Sequence, residues 1–319
     1  MEINVIKGCH DVINDEASAY SAIENLFKSV AEVYGYNEFR TPIFEASELF
    51  ARNQDDSSDM VRKQMYTFED KGGRSLTLRP ELTAGIVRSM INNKLFIEQD
   101  FPVKAYYCGE VFRYERPKTG TYRQFEQCGI ESLGLDNAYA DAETILMAYR
   151  FLLMLGFKDI TLKINTLGDD ESRNNYREAL RAYFKPHLEN MCPDCLERYK
   201  LNPLRILDCK VPGDQEIVKD APKMSEYLTD SAKARFMQTL DILSEAEVPF
   251  VIDDNLVRGL DYYSHVVFEF AYRTKDGRDI GALGGGGHYD KLCSELNGPA
   301  LAGVGFAFGM ERIYTVMKE

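Results

Sequence analysis

Apolar residues Ile23, Leu26, Phe27, Val30, Val33 and Tyr34 recur at helical spacing between Asp15 and Gly35, which predicts an opening amphipathic helix closed by a glycine. The period then changes. Residues 65–69 and 75–79 flank Asp70-Lys71-Gly72-Gly73, and residues 267–272 and 280–283 flank Lys275-Asp276-Gly277-Arg278; both have the form of strand pairs joined by glycine-bearing turns. A longer pair, 105–114 and 122–133, is joined by residues 115–121. Helices are expected over 138–155, capped by Gly156, and over 229–246. Between about Gly168 and Asp230 the chain turns polar and charge-rich, with helical candidates at 176–184 and 192–200 and no strand alternation. The pattern predicts an α+β fold: an antiparallel sheet of six or more strands flanked by helices, one domain over residues 1–319 with a helical insertion at 168–230.

Composition leaves this picture intact and narrows the setting. Of 319 residues, 45% are hydrophobic and 28% charged, enough apolar material for a large core. No apolar run approaches the roughly 20 residues that span a bilayer, and the polar start Met1-Glu2-Ile3-Asn4 lacks a signal-peptide core, so a soluble cytoplasmic chain with no membrane partner is expected. Seven scattered cysteines do not make a disulfide framework and agree with a reducing compartment. A net charge of −13 argues against a sequence-independent nucleic-acid coat, so any such partner must meet a local basic feature.

Such a feature surrounds the longest strand pair. Arg113, Arg116, Lys118 and Arg123 gather around one turn, and strand alternation puts Arg113, Glu115, Phe125, Gln127 and Glu131 on a common face. Arginine holds phosphate bidentately and an aromatic ring offers a stacking surface, so this face suits a nucleotide; an exposed hairpin with solvated charges fits the same residues. Arg258-Gly259-Leu260-Asp261-Tyr262-Tyr263 is a second dense element. It reads either as a close backbone approach to a ligand or as a turn with a surface arginine and core tyrosines. The run Gly284-Gly285-Gly286-Gly287-His288-Tyr289-Asp290 has neither P-loop order nor dinucleotide-fold spacing and suits a backbone pressed against a neighbour or a small ligand. Residues 303–309, followed by Met310-Glu311-Arg312, read as a buried glycine-rich strand entering a helix. Cys192-Pro193-Asp194-Cys195 has metal-ligand spacing and Cys209 offers a third thiolate, but no second CxxC accompanies them, so free thiols rather than a metal are expected.

In order and spacing these elements resemble the class II aminoacyl-tRNA synthetases. Tyr34-Gly35-Tyr36 through Arg40-Thr41-Pro42-Ile43-Phe44-Glu45 resembles motif 1, whose proline sits at a dimer interface. Phe112-Arg113-Tyr114-Glu115-Arg116 with Tyr122-Arg123-Gln124-Phe125 resembles motif 2, and residues 303–312 resemble motif 3. Residues 256–263 and 285–290 resemble the two histidine signatures of the histidyl-tRNA synthetase family, and the strings 77–83 and 202–208 are also family-like. The resemblance covers essentially the whole chain. It implies activation of histidine with ATP and Mg²⁺ to histidyl-adenylate, transfer to the acceptor end of tRNA(His), and a homodimer.

By the same resemblance, Arg113 holds the α-phosphate, Glu115 meets the adenine edge, Phe125 stacks on the base and Arg312 completes the ATP site. Glu81 and Thr83 hold the histidine α-amino group, Gln127 its polar backbone end, and Glu131, Tyr263 and Tyr289 the imidazole region. Arg258 sits between substrate carboxylate and α-phosphate, making Arg258 and Arg113 the catalytic pair. The family usually has arginine where Thr121 and His288 stand, which implies a weaker phosphate contact at the first and, at the second, either an altered ring pocket or, as is commoner for a histidine, an imidazole packed under the glycine run. The chain ends at Glu319, just after motif 3 and without the anticodon-binding domain of a full synthetase, as expected of an excised catalytic domain or a paralogue. The competing reading is a non-catalytic regulatory subunit of the kind found in ATP phosphoribosyltransferase, which has this fold and no anticodon domain.

Overall fold

The computed structural model describes residues 3–52, 58, 60–98, 101–273 and 279–318; the expected turn at 275–278 and Glu319 lie outside them. The chain opens with α1 (Asn14–Val33), short strands β1 (Asn37–Glu38) and β2 (Phe44–Ala46), the hairpin β3 (Tyr66–Glu69) and β4 (Ser75–Leu78), and helices α2 (Thr83–Asn92) and α3 (Leu95–Glu98). The long pair β5 (Val103–Phe112) and β6 (Gln124–Leu133) leads into α4 (Ala138–Met154) and β7 (Ile160–Thr166). Helices α5 (Asp170–Phe184), α6 (Pro193–Leu201) and α7 (Pro212–Val218) follow, separated by 3-10 turns, and then α8 (Asp230–Glu245). Strands β8 (Phe250–Ile252), β9 (Ser264–Arg273) and β10 (Asp279–Tyr289), helix α9 (Leu292–Glu295), strand β11 (Gly303–Gly309) and helix α10 (Met310–Met317) complete it.

Among the described residues, eight strands form one sheet in the order β1-β5-β6-β11-β10-β9-β7-β8, and β2-β4-β3 form a small second sheet. The six central strands pair antiparallel, whereas β1 on β5 and β8 on β7 are parallel additions at the edges. The strand period of two divides the large sheet into a core face and a site face. Tyr106, Cys128, Ile130, Phe268, Phe270, Phe306 and Phe308 pack with Phe27 of α1, Phe151 of α4 and residues of α8 and α10. Their neighbours Tyr107, Val267 and Tyr289 face the opposite way, towards α2 and the helical segment 170–226. Each fully buried Phe contributes roughly 1.5–3 kcal/mol relative to exposure, so this aromatic layer fixes the sheet against its helices.

Two sequence expectations change in extent. The strand expected at 280–283 runs on to Tyr289, so the four-glycine run lies inside β10, between β9 and β11. A Cβ at Gly286 would overlap the Gly305 carbonyl oxygen, which explains why side chains are excluded there. The strand expected to reach Tyr114 ends at Phe112, although the Arg113 N–H still donates to the Arg123 carbonyl (2.9 Å) before the chain turns. Among the described residues no helix is long and apolar enough to cross a membrane.

Candidate active site

The site face of the sheet floors a cavity of about 250 Å³. Along β11 the large residues Phe306 and Phe308 point to the core, and the alternate positions Gly303, Gly305, Ala307 and Gly309 keep the opposite side low. A Cβ on Gly305 would overlap the Glu131 carboxylate, so the glycine makes the niche that this carboxylate occupies.

The cavity joins residues from distant parts of the chain. Glu81, Thr83, Arg113, Glu115, Phe125, Gln127, Glu131, Arg258, Tyr263 and Arg312 all line it. Tyr289 lies directly behind, its hydroxyl donating to Glu131 Oε2 (2.7 Å). Every residue expected to bind nucleotide or amino acid is therefore in or against one space. Missed in the sequence were Tyr107, which donates to Glu131 Oε1 (3.0 Å), and Glu269, which pairs with Arg258 Nη1 (2.7 Å). Tyr107 lies opposite Gly129 in the β5–β6 register, and alternation from Glu131 would have put it on the site face.

Glu131 is 1% exposed and accepts a third hydroxyl, Thr83 Oγ1 (2.7 Å). Burial lifts its carboxyl to about 8 against these three donors. Glu81 stands just before α2, one oxygen accepting from the Ala84 N–H (3.0 Å), the other buried with no partner among the described residues. Arg258 Nε and Thr121 Oγ1 are likewise buried and unpartnered. Buried polar atoms without partners are costly, and their convergence on one cavity marks groups that a polar ligand would satisfy.

The other end is cationic. Arg113 donates from Nε to the Pro80 carbonyl (2.8 Å), and its guanidinium carbon lies 5.3 Å from the Phe125 ring centre. Burial pushes this guanidinium below its ordinary value. Arg312, in the first turn of α10, is anchored by the carbonyls of Gly120 (3.0 Å) and Ala282 (2.6 Å). Beside it Glu311 accepts from the Glu126 N–H (3.0 Å), and burial pushes its carboxyl up to about 8.

The two departures from family pattern separate spatially. Thr121 lines the cavity. His288 does not: as a histidine packed under the glycine run rather than one altering the ring pocket, it leaves β10 on the face opposite Tyr289 and points towards α4 and α8. There Nδ1 lies 2.8 Å from Asp141 Oδ1 and Nε2 3.1 Å from Asp290 Oδ1. Arg235 binds the other oxygen of Asp141 through Nε (3.1 Å) and Nη2 (2.9 Å) and pairs with Asp136. Burial opposes charge on His288, but Asp141, Asp136 and Asp290 prevail and lift it to about 10. Arg235 Nη2, 3.0 Å from His288 Nδ1, is the cation that these carboxylates outweigh.

A six-stranded antiparallel core, with an arginine-lined cavity between the long hairpin, the glycine strand and the helix that follows it, is the catalytic fold of class II aminoacyl-tRNA synthetases. The family described as Histidyl-tRNA synthetase matches residues 8–313, and the chain belongs to that family. Histidine–tRNA ligase of Lysinibacillus sphaericus is 45% identical over 318 residues, 100% of this chain and 75% of its own length. That of Bacillus subtilis is 46% identical over 313 residues, 98% of this chain and 74% of its length. The apo histidyl-tRNA synthetase of S. aureus superposes with a TM-score of 0.82 at 38% identity, over 100% of this chain and 74% of that one. An ATP phosphoribosyltransferase regulatory subunit/histidyl-tRNA synthetase from Bacillus halodurans, at 21% identity and a TM-score of 0.72 over 99% of this chain and 84% of its own, shares the fold.

Proposed function

We propose that the chain activates histidine with ATP and transfers it to tRNA(His). The observation that carries this reading is the single cavity holding two arginines, Arg113 and Arg258, together with the buried carboxylates Glu81 and Glu131. In-line attack of a carboxylate on an α-phosphate brings negative groups together, and fixed guanidiniums offset that repulsion without moving a proton. Arg258, with its unpartnered Nε, takes the place between carboxylate and phosphate, and Arg113 clamps the phosphate beside the stacking ring of Phe125. Glu115 faces the adenine edge and Arg312 the remaining phosphates. Glu81 and Thr83 receive the α-amino group and Gln127 the adjoining polar end. Glu131, oriented by Tyr107, Thr83 and Tyr289, receives the imidazole with Tyr263. Mg²⁺ enters with the nucleotide: Glu115 and Glu311 are oxygen donors of the kind it takes, and it neutralises phosphate charge.

A second cleft, of about 810 Å³, shares Glu81, Leu260 and Tyr262 with the first and is lined by Arg52, Arg173, Arg177, Arg181, Lys200 and Lys291. Five carboxylates, Glu81, Asp170, Glu178, Asp261 and Glu295, line it too, and Arg52, Arg173, Arg181 and Lys291 pair with three of them, so only a slight cationic excess is left for the phosphodiester backbone of an acceptor end. Exposed Ile43 and Phe44 beside Pro42, with Phe68 on the same small sheet, support a homodimer, and the reaction belongs in the cytoplasm. The regulatory-subunit reading is not favoured, since the histidine–tRNA ligases match at more than twice the identity of the structure that carries that description. Histidine-dependent exchange of labelled pyrophosphate into ATP tests the proposal. Exchange that starts only on adding histidine is expected; none at high protein and Mg²⁺ would overturn it.

A further inference from the structure

The insertion between β7 and α8 contains a cluster that the synthetase reaction does not use. Pro193 opens α6, with Cys192 as its N-cap residue and Cys195 in its first turn, so the two thiols of the CxxC converge. The Asn202 side chain caps the 3-10 turn Pro203–Asp208 that delivers Cys209, and Pro212 opens α7 with Asp214 in its first turn. One ligand atom from each of Cys192, Cys195, Cys209 and Asp214 lies within 4.8 Å of all the others. Asp214 replaces the histidine for which the sequence offered no good candidate.

The spacing is that of a metal's coordination shell. Tetrahedral zinc with Zn–S of about 2.3 Å and Zn–O of about 2.0–2.2 Å has S···S edges near ~3.8 Å and S···O edges near ~3.5 Å. Cys192 Sγ and Cys209 Sγ are 3.9 Å apart, and Cys209 Sγ lies 3.2 Å from Asp214 Oδ2. Cys195, Cys209 and Asp214 are buried, at 0%, 5% and 1% exposure. Among the described residues no hydrogen-bond partner of Asp214 is cationic: it accepts from the Cys192 N–H (3.1 Å) and is surrounded by thiols. A buried carboxylate needs a compensating positive charge, and its hydrogen-bond partners among the described residues supply none. The ligands are also braced from outside, since the Cys192 N–H fixes Asp214 and the Val211 N–H reaches Cys209 Sγ (3.5 Å). A disulfide would use two of the three thiols and leave the carboxylate uncompensated.

We propose that Cys192, Cys195, Cys209 and Asp214 hold one structural zinc ion. Soft thiolates select zinc over magnesium or calcium, and four protein ligands close the tetrahedron without an open catalytic position. On binding, the thiols release their protons to water. The ion ties α6, the 3-10 turn and α7 together. That turn touches the histidine-signature loop: Arg205 Nη1 donates to the Gly259 carbonyl (2.7 Å) and Asn202 Nδ2 to Asp261 Oδ1 (3.2 Å).

The test is the metal content of the whole chain purified under reductant, by plasma mass spectrometry, followed by replacement with Co²⁺. One zinc per chain is expected, and the Co²⁺ form should show intense thiolate-to-cobalt charge-transfer absorption. Asp214→Asn and Cys195→Ser should each weaken zinc retention against a chelating dye by about tenfold or more, while Cys293→Ser, buried within α9, should not. If the variants fail to fold, stoichiometry and cobalt spectrum of the unaltered chain decide the matter. Well under one zinc per chain after reconstitution, a cobalt spectrum without thiolate bands, or a metal-free Cys192–Cys209 disulfide in the native protein would each overturn the assignment.

Discussion

Replacing His288 by glutamine removes a buried charge while keeping size and one hydrogen bond. The ring is fully buried, facing Asp141, Asp290 and Asp136, with Arg235 as the opposing cation and the His265 ring, whose own pKa burial lowers, edge-on beside it. Its folded value of about 10, against an ordinary 6.5, makes the charged ring's contribution fully present below pH 6.5 and progressively lost as pH rises through 10. At about 1.36 kcal/mol per unit the gap is worth no more than roughly 5 kcal/mol. Arg235 supplies the same carboxylates with a second cation, so roughly 2–3 kcal/mol is the expected loss at pH 6. Urea unfolding of the parent and His288→Gln between pH 6 and 10 measures it. The stability difference should shrink steadily across that range, and His288→Arg, whose charge does not titrate there, should show no such decline. A parent-minus-Gln difference that stays constant from pH 6 to 10 would refute a protonated His288.

At the cavity, Arg258→Ala should lower kcat of pyrophosphate exchange by about 10²–10³-fold with the circular dichroism spectrum retained, since its charge acts where carboxylate meets phosphate; an unchanged kcat would remove it from the reaction. Glu131→Gln should weaken histidine binding by about tenfold or more and barely touch ATP, because an amide must turn a donor towards the hydroxyls of Thr83, Tyr107 or Tyr289; calorimetry giving equal losses for both ligands would place Glu131 elsewhere. Thr121→Arg restores a guanidinium at a cavity position whose hydroxyl has no partner among the described residues, and should tighten ATP by up to about 1.5–3 kcal/mol with histidine affinity nearly unchanged. Unaltered ATP affinity would mean that the residue 115–121 turn does not approach the phosphates.

Local periodicity carried most of the architecture and much of the site. The odd positions Phe125, Gln127 and Glu131 share a face because a strand repeats every two residues, and the same arithmetic makes Gly303, Gly305, Ala307 and Gly309 the low side of β11. What stayed hidden depends on pairings that no local pattern encodes. His288 is 147 residues from Asp141, and no local pattern joins the two. Tyr289 faces the site, so the strand's period of two already sends its neighbour His288 to the other face; only the carboxylates waiting there were hidden. Asp214 was invisible for another reason: a carboxylate on a short helix carries no signature until Cys192, Cys195 and Cys209 are seen around it. Unpartnered atoms such as Arg258 Nε and Glu81 Oε2 are likewise properties of packing rather than of sequence.

The loop 258–263 depends on supports outside the sheet. Between Leu256 and β9 it has no ladder to satisfy its carbonyls, yet it must hold Arg258 in the cavity while Tyr262 and Tyr263 are buried. Side chains from the helical segment supply the missing partners. Arg173 of α5 donates to the Tyr263 carbonyl (2.8 Å), and Arg205 to that of Gly259 (2.7 Å). Both arginines are buried, at 8% and 6% exposure, so each donates a charged hydrogen bond of roughly 1.5–3 kcal/mol where water does not compete. Lysine would reach as a single point without the planar fork, so the two sites are specific for arginine. The family-like string at 202–208 thereby acquires a physical reason: Asn202 caps the turn and touches Asp261, Arg205 fixes Gly259, and the apolar Leu204, Ile206 and Leu207 anchor the turn in the core beneath. The position of Arg258 relative to Glu131 and Arg113 is therefore set partly by a helical segment that contributes no residue to the first cavity.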